Sequence, residues 1–417
     1  MVASLKILHI SDTHLGARPR GSIERERDIY DVFLEIIDIA IENRVDAVIH
    51  AGDMFHSAEL FPTPYIYAIA GLDRLRQAGI AFYIVAGNHD AAKPTRNSPL
   101  ELLGKLGYAK VLSDHEEPGF DKIVGRSGDV VEIHGYSYKA LDHLLSEGSR
   151  PRPGSILLAH VRLCDAWSQR YGRDQSICSS EKDFIPTIQR LPKGFSYYAL
   201  GDLHKSWRNI YEGSPIIYPG SPEAISRDDY EERKVVFLAE IDRVRVEVKE
   251  IPLKKVRPWI NIEARDYQEA IRIVSTDLES AVKRYTKPPI VVLKIKSPLS
   301  RNERINIVRV LDNLVEAKKI LRYEGPEVEV PQTRESLGIG GREILQTQLS
   351  IEKAVEKLFS DPDVRRFMVD EIIRGELDPD KILSRLVEQG LASKILNEPE
   401  IRRHLQLGVS RSLGGRL

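Results

Sequence analysis

The chain has 417 residues, 42% of them hydrophobic, and a formal net charge of −1. That apolar content excludes global disorder. The neutral balance excludes a chain-wide basic coat, so any contact with nucleic acid must come from local patches or bound metals.

The opening MVASLKILHISDTH meets charged residues too soon for a signal peptide and reads as a first β-strand. No apolar run reaches the roughly 18 residues of a membrane span, so the expectation is a soluble, cytoplasmic protein without a membrane partner. Two cysteines, Cys164 and Cys178, without a CxxC pair argue against a disulfide framework or a thiolate zinc site. A charged fraction of 29% with only three Met fits a thermophile.

Residues 1–252 alternate short apolar strands with helix-length amphipathic stretches. The strands read as LKILHIS, DAVIHAG, AFYIVAGNH, SILLAH, YYALGD, PIIYPGS, KVVFLAEI and VRVEVKEI; RDIYDVFLEIIDIAIENR and PYIYAIAGLDRLRQAG are helical. This predicts an α/β sandwich whose sheet ends in antiparallel pairs. Residues 253–330 read as a small α+β unit. It runs strand PWINIEA, helix DYQEAIRIVSTDLESAVKRY with Asp266 as N-cap, strand PIVVLKIKS and helix NERINIVRVLDNLVEAKKI. Residues 331–345, with three glycines and a proline, read as a linker. Residues 346–417 carry three amphipathic helical patterns, with apolar positions at Ile351, Val355, Leu358 and Phe359, at Val364, Met368 and Ile372, and at Ile382, Leu386, Leu391 and Ile395. They either pack back on the main domain or dock on a partner. The tail IRRHLQLGVSRSLGGRL has four Arg and no acid, which suits nucleic acid or a partner.

The chemistry lies at strand ends. These supply Asp12 and His14, then Asp53 and His56, then Asn88, His89 and Asp90, then His160, then Asp202 and His204. In open α/β sheets ligands bind beyond the carboxyl ends of the strands, so five adjacent ends are expected to feed one crevice. Oxygen and imidazole ligands without thiolates suit Mn²⁺, Fe²⁺ or Zn²⁺. Each piece alone is weak, because DxH, GD and GN are ordinary turn sequences. The specific signal is the order DxH, GDxxH, GNHD, strand-end His, GDxH. His9 and His50 alternate away from the crevice and are expected to be buried and satisfied.

This order resembles the calcineurin-like binuclear metallophosphoesterases. ISDTHLG, HAGDMFH and YPGSPE narrow the resemblance to the Mre-type or SbcD-like nucleases of DNA double-strand-break repair. It covers residues 1 to about 250 and implies a metallophosphoesterase β-sandwich flanked by helices. The 253–330 unit then corresponds to a capping domain and the C-terminal helices to a partner-binding region. The implied activity is phosphodiester hydrolysis by a hydroxide activated by two metals, as a double-strand 3′→5′ exonuclease and single-strand endonuclease. The implied partners are DNA and a coiled-coil ABC-type ATPase, in a dimer of heterodimers associated with the nucleoid. Dimer contacts would fall in PYIYAIAGLDRL and SPLELLGKLG, which otherwise cover the sheet.

Residue by residue, Asp12, His14 and His204 correspond to ligands of the first metal, Asp53 to the bridging carboxylate, and Asn88 and His160 to ligands of the second. His89 corresponds to a non-ligand that faces the scissile phosphate, and Asp90 beside it would keep it protonated. His56 corresponds to a nearby histidine that affects exonuclease activity, or it braces its loop. The resemblance departs at GDLH, where the family pattern is GHxH. Asp202 then completes a harder, oxygen-rich second site favouring Mn²⁺ or Mg²⁺ over Zn²⁺, or leaves that site weak. Arg18, Arg20 and, in the insertion with Trp167, Arg170 and Tyr171, Arg173 either contact DNA phosphates or belong to solvated loops. A small-molecule or phosphoprotein phosphoesterase and a weakly active scaffold are the alternatives.

Overall fold

The computed structural model describes residues 4–328 except 60, 92–96, 147–150, 153, 173–177, 179–183, 186 and 243–244, and, further on, residues 361–373, 385, 390, 391 and 394. Residues Met1–Val328 form one compact unit and Glu329–Leu417 a second.

The first sheet begins with β1 (Leu5–Ile10), β2 (Ala47–His50), β3 (Ala81–Val85) and β4 (Lys110–Ser113), all parallel. The near-continuous apolar runs of β1, β2 and β3 fit strands covered on both faces. The second sheet holds β5 (Gly119–Val124), β6 (Val130–Tyr136) and β7 (Ile156–His160). A two-stranded ribbon, β8 (Arg162–Leu163) with β9 (Phe184–Ile185), leads on to β10 (Tyr197–Gly201), β11 (Trp207–Tyr211) and β12 (Ser214–Tyr218). Then β13 (Val235–Ile241) and β14 (Val246–Pro252) return to the first sheet. The orders are β14-β13-β1-β2-β3-β4 and β11-β12-β10-β7-β6-β5.

Two expectations are corrected here. The five chemistry-bearing strands do not share a sheet: β1, β2 and β3 belong to one and β7 and β10 to the other. The late strands are also not uniformly antiparallel, since β10 pairs β12 in parallel while β13 and β14 form antiparallel pairs on the edge of β1.

Strand parity explains the layers. Leu5 and Ile7 of β1 face the second sheet and pack with Ile49, Val85, Ile156, Leu158, Tyr197 and Phe237. Leu8 and Ile10, on the other face, pack under α1 (Ile23–Glu42) and α2 (Pro62–Gln77) through Phe33, Ile36 and Leu72. The helix α3 (Pro99–Lys105) joins them through Leu100 and Leu103. The second sheet's outer face is covered by α4 (Leu141–Ser146) and α5 (Cys164–Tyr171). Ser22 caps α1 by accepting the Arg25 amide at 3.2 Å, with Glu24 and Glu26 in the first turn where the helix dipole favours them.

Residues from Trp259 form a three-stranded parallel sheet with its own core: β15 (Trp259–Ala264), β16 (Ile290–Ile295) and β17 (Arg322–Val328). One face carries α6 (Tyr267–Arg272), a π-turn (Ile273–Asp277), α7 (Leu278–Val282) and α8 (Arg301–Glu316). Asp266 caps α6 as expected, accepting the Glu269 amide at 3.0 Å. The strand β17, RYEGPEV, was not foreseen, because Gly and Pro interrupt its apolar pattern.

A buried charge cluster ties this sheet to α1. Asp28 binds Arg25 at 2.8 Å, Arg257 at 2.9 Å and Lys287 at 3.0 Å. Glu223, from YPGSPE, accepts from Arg25 and from the Arg257 amide, each at 2.9 Å.

In the second unit, α9 (Pro362–Ile373) matches one expected amphipathic helix, with Val364 buried and Asp361 accepting its amide at 3.2 Å. The other two helical patterns, the linker and the basic tail fall outside the described residues or nearly so. Among the described residues no helix is long and apolar enough to cross a membrane.

The structure also corrects the cysteine reading. Cys164 and Cys178 form a disulfide, with Cα atoms 5.7 Å apart, beside Trp167 and Phe184. The bridge is local, closing the insertion that begins at α5, and no spacing rule flagged it.

Candidate metal centre

The strand ends meet because their loops are zipped together. The Asp12 amide donates to Gly52 O at 3.0 Å, His14 to Asp53 O at 3.0 Å and Leu15 to Met54 O at 2.8 Å. His50 Nε2 lies 2.9 Å from Thr13 Oγ1, tying the DTH loop to β2. His9 reaches across the sandwich to Tyr197 OH at 3.0 Å. Both histidines are buried and outside the site, as expected, but His50 Nδ1 has no hydrogen-bond partner, so that ring is only half satisfied.

Asp12, His14, Asp53 and Asp202 all have positive φ, at 52°, 46°, 56° and 103°. Non-glycine residues reach this region at a cost that clusters at functional sites. Two glycines of the turn sequences are steric requirements. A Cβ at Gly52 would lie 2.3 Å from His160 Nδ1, and one at Gly87 would lie 2.0 Å from Asp53 Oδ1.

Donor atoms converge in three sets: Asp12, His14 and His204; Asp12, Asp53 and His160; and His14, His56 and His89. His14 Nε2 and His204 Nε2 are 3.1 Å apart, and His14 Nε2 is 3.8 Å from Asp53 Oδ2. His160 Nδ1 donates to Ala51 O at 2.8 Å, which leaves Nε2 to face Asn88 Oδ1 at 3.2 Å and Asp53 Oδ2 at 3.6 Å. Imidazole and carboxylate donors gathered this closely can share a cation.

The electrostatics agree. Burial pushes the carboxyls of Asp12 and Asp53 well above the usual range. Burial also drives the imidazole of His14 well down and that of His204 to about 4. A divalent cation favours ionised carboxylates and neutral imidazoles, which makes this donor set a fit for metal.

His89 sits beside the donors. Its amide donates to Asp53 Oδ1 and its Nδ1 lies against His56 O, both at 2.8 Å, and its ring stacks on His56 with centroids 5.1 Å apart. Asp90 does not act on His89. It is fully buried and accepts the amides of Met54 at 2.9 Å and Phe55 at 2.8 Å, so it shapes the loop that carries Asp53.

Asp202 stands apart from the three converging sets. Arg162 grips its carboxylate through Nε and, at 2.9 Å, through Nη2, and His160 Nε2 is 3.7 Å from Oδ1. Arg162 was missed in the sequence, although it follows His160 by two residues, the period that keeps side chains on one strand face. Asp229 was also missed. It is buried, 3.6 Å from His204 Nδ1 and 3.5 Å from Lys234 Nζ, and orients the ring from behind.

Of the arginines expected to meet phosphate, Arg18 is paired with Glu26 at 2.5 Å and Arg20 lies 3.7 Å from Glu324. Neither lines the cleft formed by Asp53, Asn88, His89, Arg162, Asp202 and His204. Arg173 lies outside the described residues. Arg170 pairs with Glu232, whereas Trp167 and Tyr171 do line the cleft.

The calcineurin-like phosphoesterase family profile matches residues 5–206. The DNA double-strand break repair protein Mre11 of Thermoplasma acidophilum is 30% identical over 336 residues, 76% of this chain and 84% of the relative. The chain belongs to the Mre11 family. The Mre11 protein of Saccharolobus solfataricus is 36% identical over 232 residues, 54% of this chain and 57% of that relative. The first relatives are thus matched over little more than half their length. The Mre11 protein of Archaeoglobus fulgidus is 27% identical over 421 residues, 95% of this chain and 87% of the relative. With these matches, the helix-flanked double sheet is the metallophosphoesterase fold expected from the sequence.

Proposed function

We propose that the chain is a metal-dependent DNA phosphodiesterase of double-strand-break repair, working as a double-strand 3′→5′ exonuclease and single-strand endonuclease. The observation that carries this is the convergence of buried Asp and His donors at the ends of two sheets, together with relatives named for double-strand break repair.

In this reading Asp12, His14 and His204 would hold one divalent cation and Asn88 and His160 a second, with Asp53 as the bridging carboxylate and Asp202 at the second's edge; Mn²⁺ would suit both. Such cations supply ionisation of water near neutral pH and compensation of phosphate charge. The chain's own residues do the rest. Asp229 fixes the His204 ring, and the Ala51 carbonyl fixes His160 in the tautomer that presents Nε2. The Nδ1 of His89 is taken by the His56 carbonyl, so Nε2 is the atom left to face the phosphodiester, and a proton passed from it to the leaving sugar oxygen requires the doubly protonated ring. His56 sets that orientation through its backbone and its stacked ring.

A cytoplasmic, nucleoid-associated homodimer with a coiled-coil ABC-type ATPase bound to the 346–417 region, and a capping role for residues 253–330, complete the proposal. The test is hydrolysis of duplex and single-stranded DNA with Mn²⁺, against p-nitrophenyl phosphate monoesters. DNA cleavage supports the reading; cleavage of the monoester alone refutes it.

A further inference from the structure

The Arg162–Asp202 pair sits at the edge of the candidate centre and has no part in the donor sets above. Three features fix it there. Arg162 lies opposite Phe184 in the β8–β9 register, and its guanidinium carbon stands 5.0 Å from the centroid of that ring. Both oxygens of Asp202 are engaged by the guanidinium fork, the strongest arrangement for such a pair. The Asp202 amide points to both oxygens of Asp12 at 3.2 Å, and its φ of 103° holds the side chain beside His160.

A cation held by Asp53, Asn88 and His160 would meet two obstacles at this edge. Its remaining carboxylate ligand is already bound, and a fixed positive charge stands next to it. A cation held by Asp12, His14 and His204 meets neither. The same guanidinium lines the cleft with Asn88, His89 and His204, where a phosphodiester would lie. Its Nη1 takes no part in the pair with Asp202, and a fork of this kind matches phosphate as well as carboxylate.

We propose that Arg162 and the second metal compete for Asp202, so that the centre fills in two unequal steps and a substrate phosphate, by drawing Arg162 to itself, strengthens the second. The inference rests on the metal-centre reading and concerns only its second half. Linkage makes the effect reciprocal: whatever phosphate does for the second cation, that cation does for phosphate.

The test is calorimetric titration of the full chain with Mn²⁺, with and without dAMP. The wild-type chain should show two steps separated by about tenfold or more, with dAMP tightening only the weaker. Arg162→Gln should tighten the weaker step by about tenfold and abolish its response to dAMP. Arg162→Lys, which keeps the charge and loses the fork, should tighten it less. Two equal steps in the wild type, or a weaker step that neither substitution tightens, overturns the proposal while leaving the metal centre standing. A wild-type chain that binds no Mn²⁺ overturns the metal-centre reading itself and this inference with it.

Discussion

Replacing Gly87 by Ala tests whether the glycines of the turn sequences serve the donor set or only the turn. A Cβ at position 87 would lie 2.0 Å from Asp53 Oδ1, 2.5 Å from the Asp53 amide nitrogen and 2.6 Å from its Cγ. To restore ordinary contact the carboxylate must retreat by about 1.4 Å. It cannot do so freely, because Oδ1 accepts the His89 amide at 2.8 Å and Oδ2 faces His14 and His160 at 3.8 and 3.6 Å. Overpacking of this kind costs about 1–3 kcal/mol of stability. Moving the central carboxylate should weaken metal binding by about 10–100-fold, the scale seen when groups that orient a ligand are lost. The assay is Mn²⁺ titration beside thermal unfolding with and without Mn²⁺. The expected result is a lower unfolding temperature and a reduced shift on adding Mn²⁺. A Gly87→Ala chain with unchanged Mn²⁺ affinity would refute the claim that Asp53 is packed against this turn for metal binding.

Other outcomes follow from the same geometry. His89→Ala should abolish DNA cleavage and leave Mn²⁺ stoichiometry unchanged, measured by metal analysis after desalting; loss of metal would make His89 a ligand instead. Asp28→Asn leaves Arg25, Arg257 and Lys287 facing a neutral group and should cost about 3–5 kcal/mol in urea unfolding. His9, buried and lowered from 6.5 to about 3, binds its proton first in the unfolded chain. Stability from this group is therefore complete above pH 6.5 and lost as pH falls toward 3, at about 1.4 kcal/mol per pH unit. His9→Asn should flatten that acid limb in denaturant titrations from pH 7 to 4.

The sequence made the strands and helices of residues 1–252 legible because their apolar periods are local. Strand ends carrying Asp, His and Asn stood out because turn chemistry alone has no need of His. What stayed hidden was pairing across long separations. Nothing local in β1 or β7 says that Asp12 and His160 belong to opposite sheets. Asp90 reads like a partner of His89 by adjacency, yet its oxygens turn to the Met54 and Phe55 amides. Arg162 and Asp229 carry no motif, and each acquires its role only when Asp202 and His204 are brought to it by the second sheet. Cys164 and Cys178 likewise meet only through the fold of the insertion.

The most direct test of the account is anomalous scattering from crystals grown with Mn²⁺. A strong peak is expected bounded by Asp12, His14, His204 and Asp53, with a weaker one beside Asn88 and His160. The absence of any peak between the two sets of strand ends, or Mn²⁺ bound elsewhere, would contradict it.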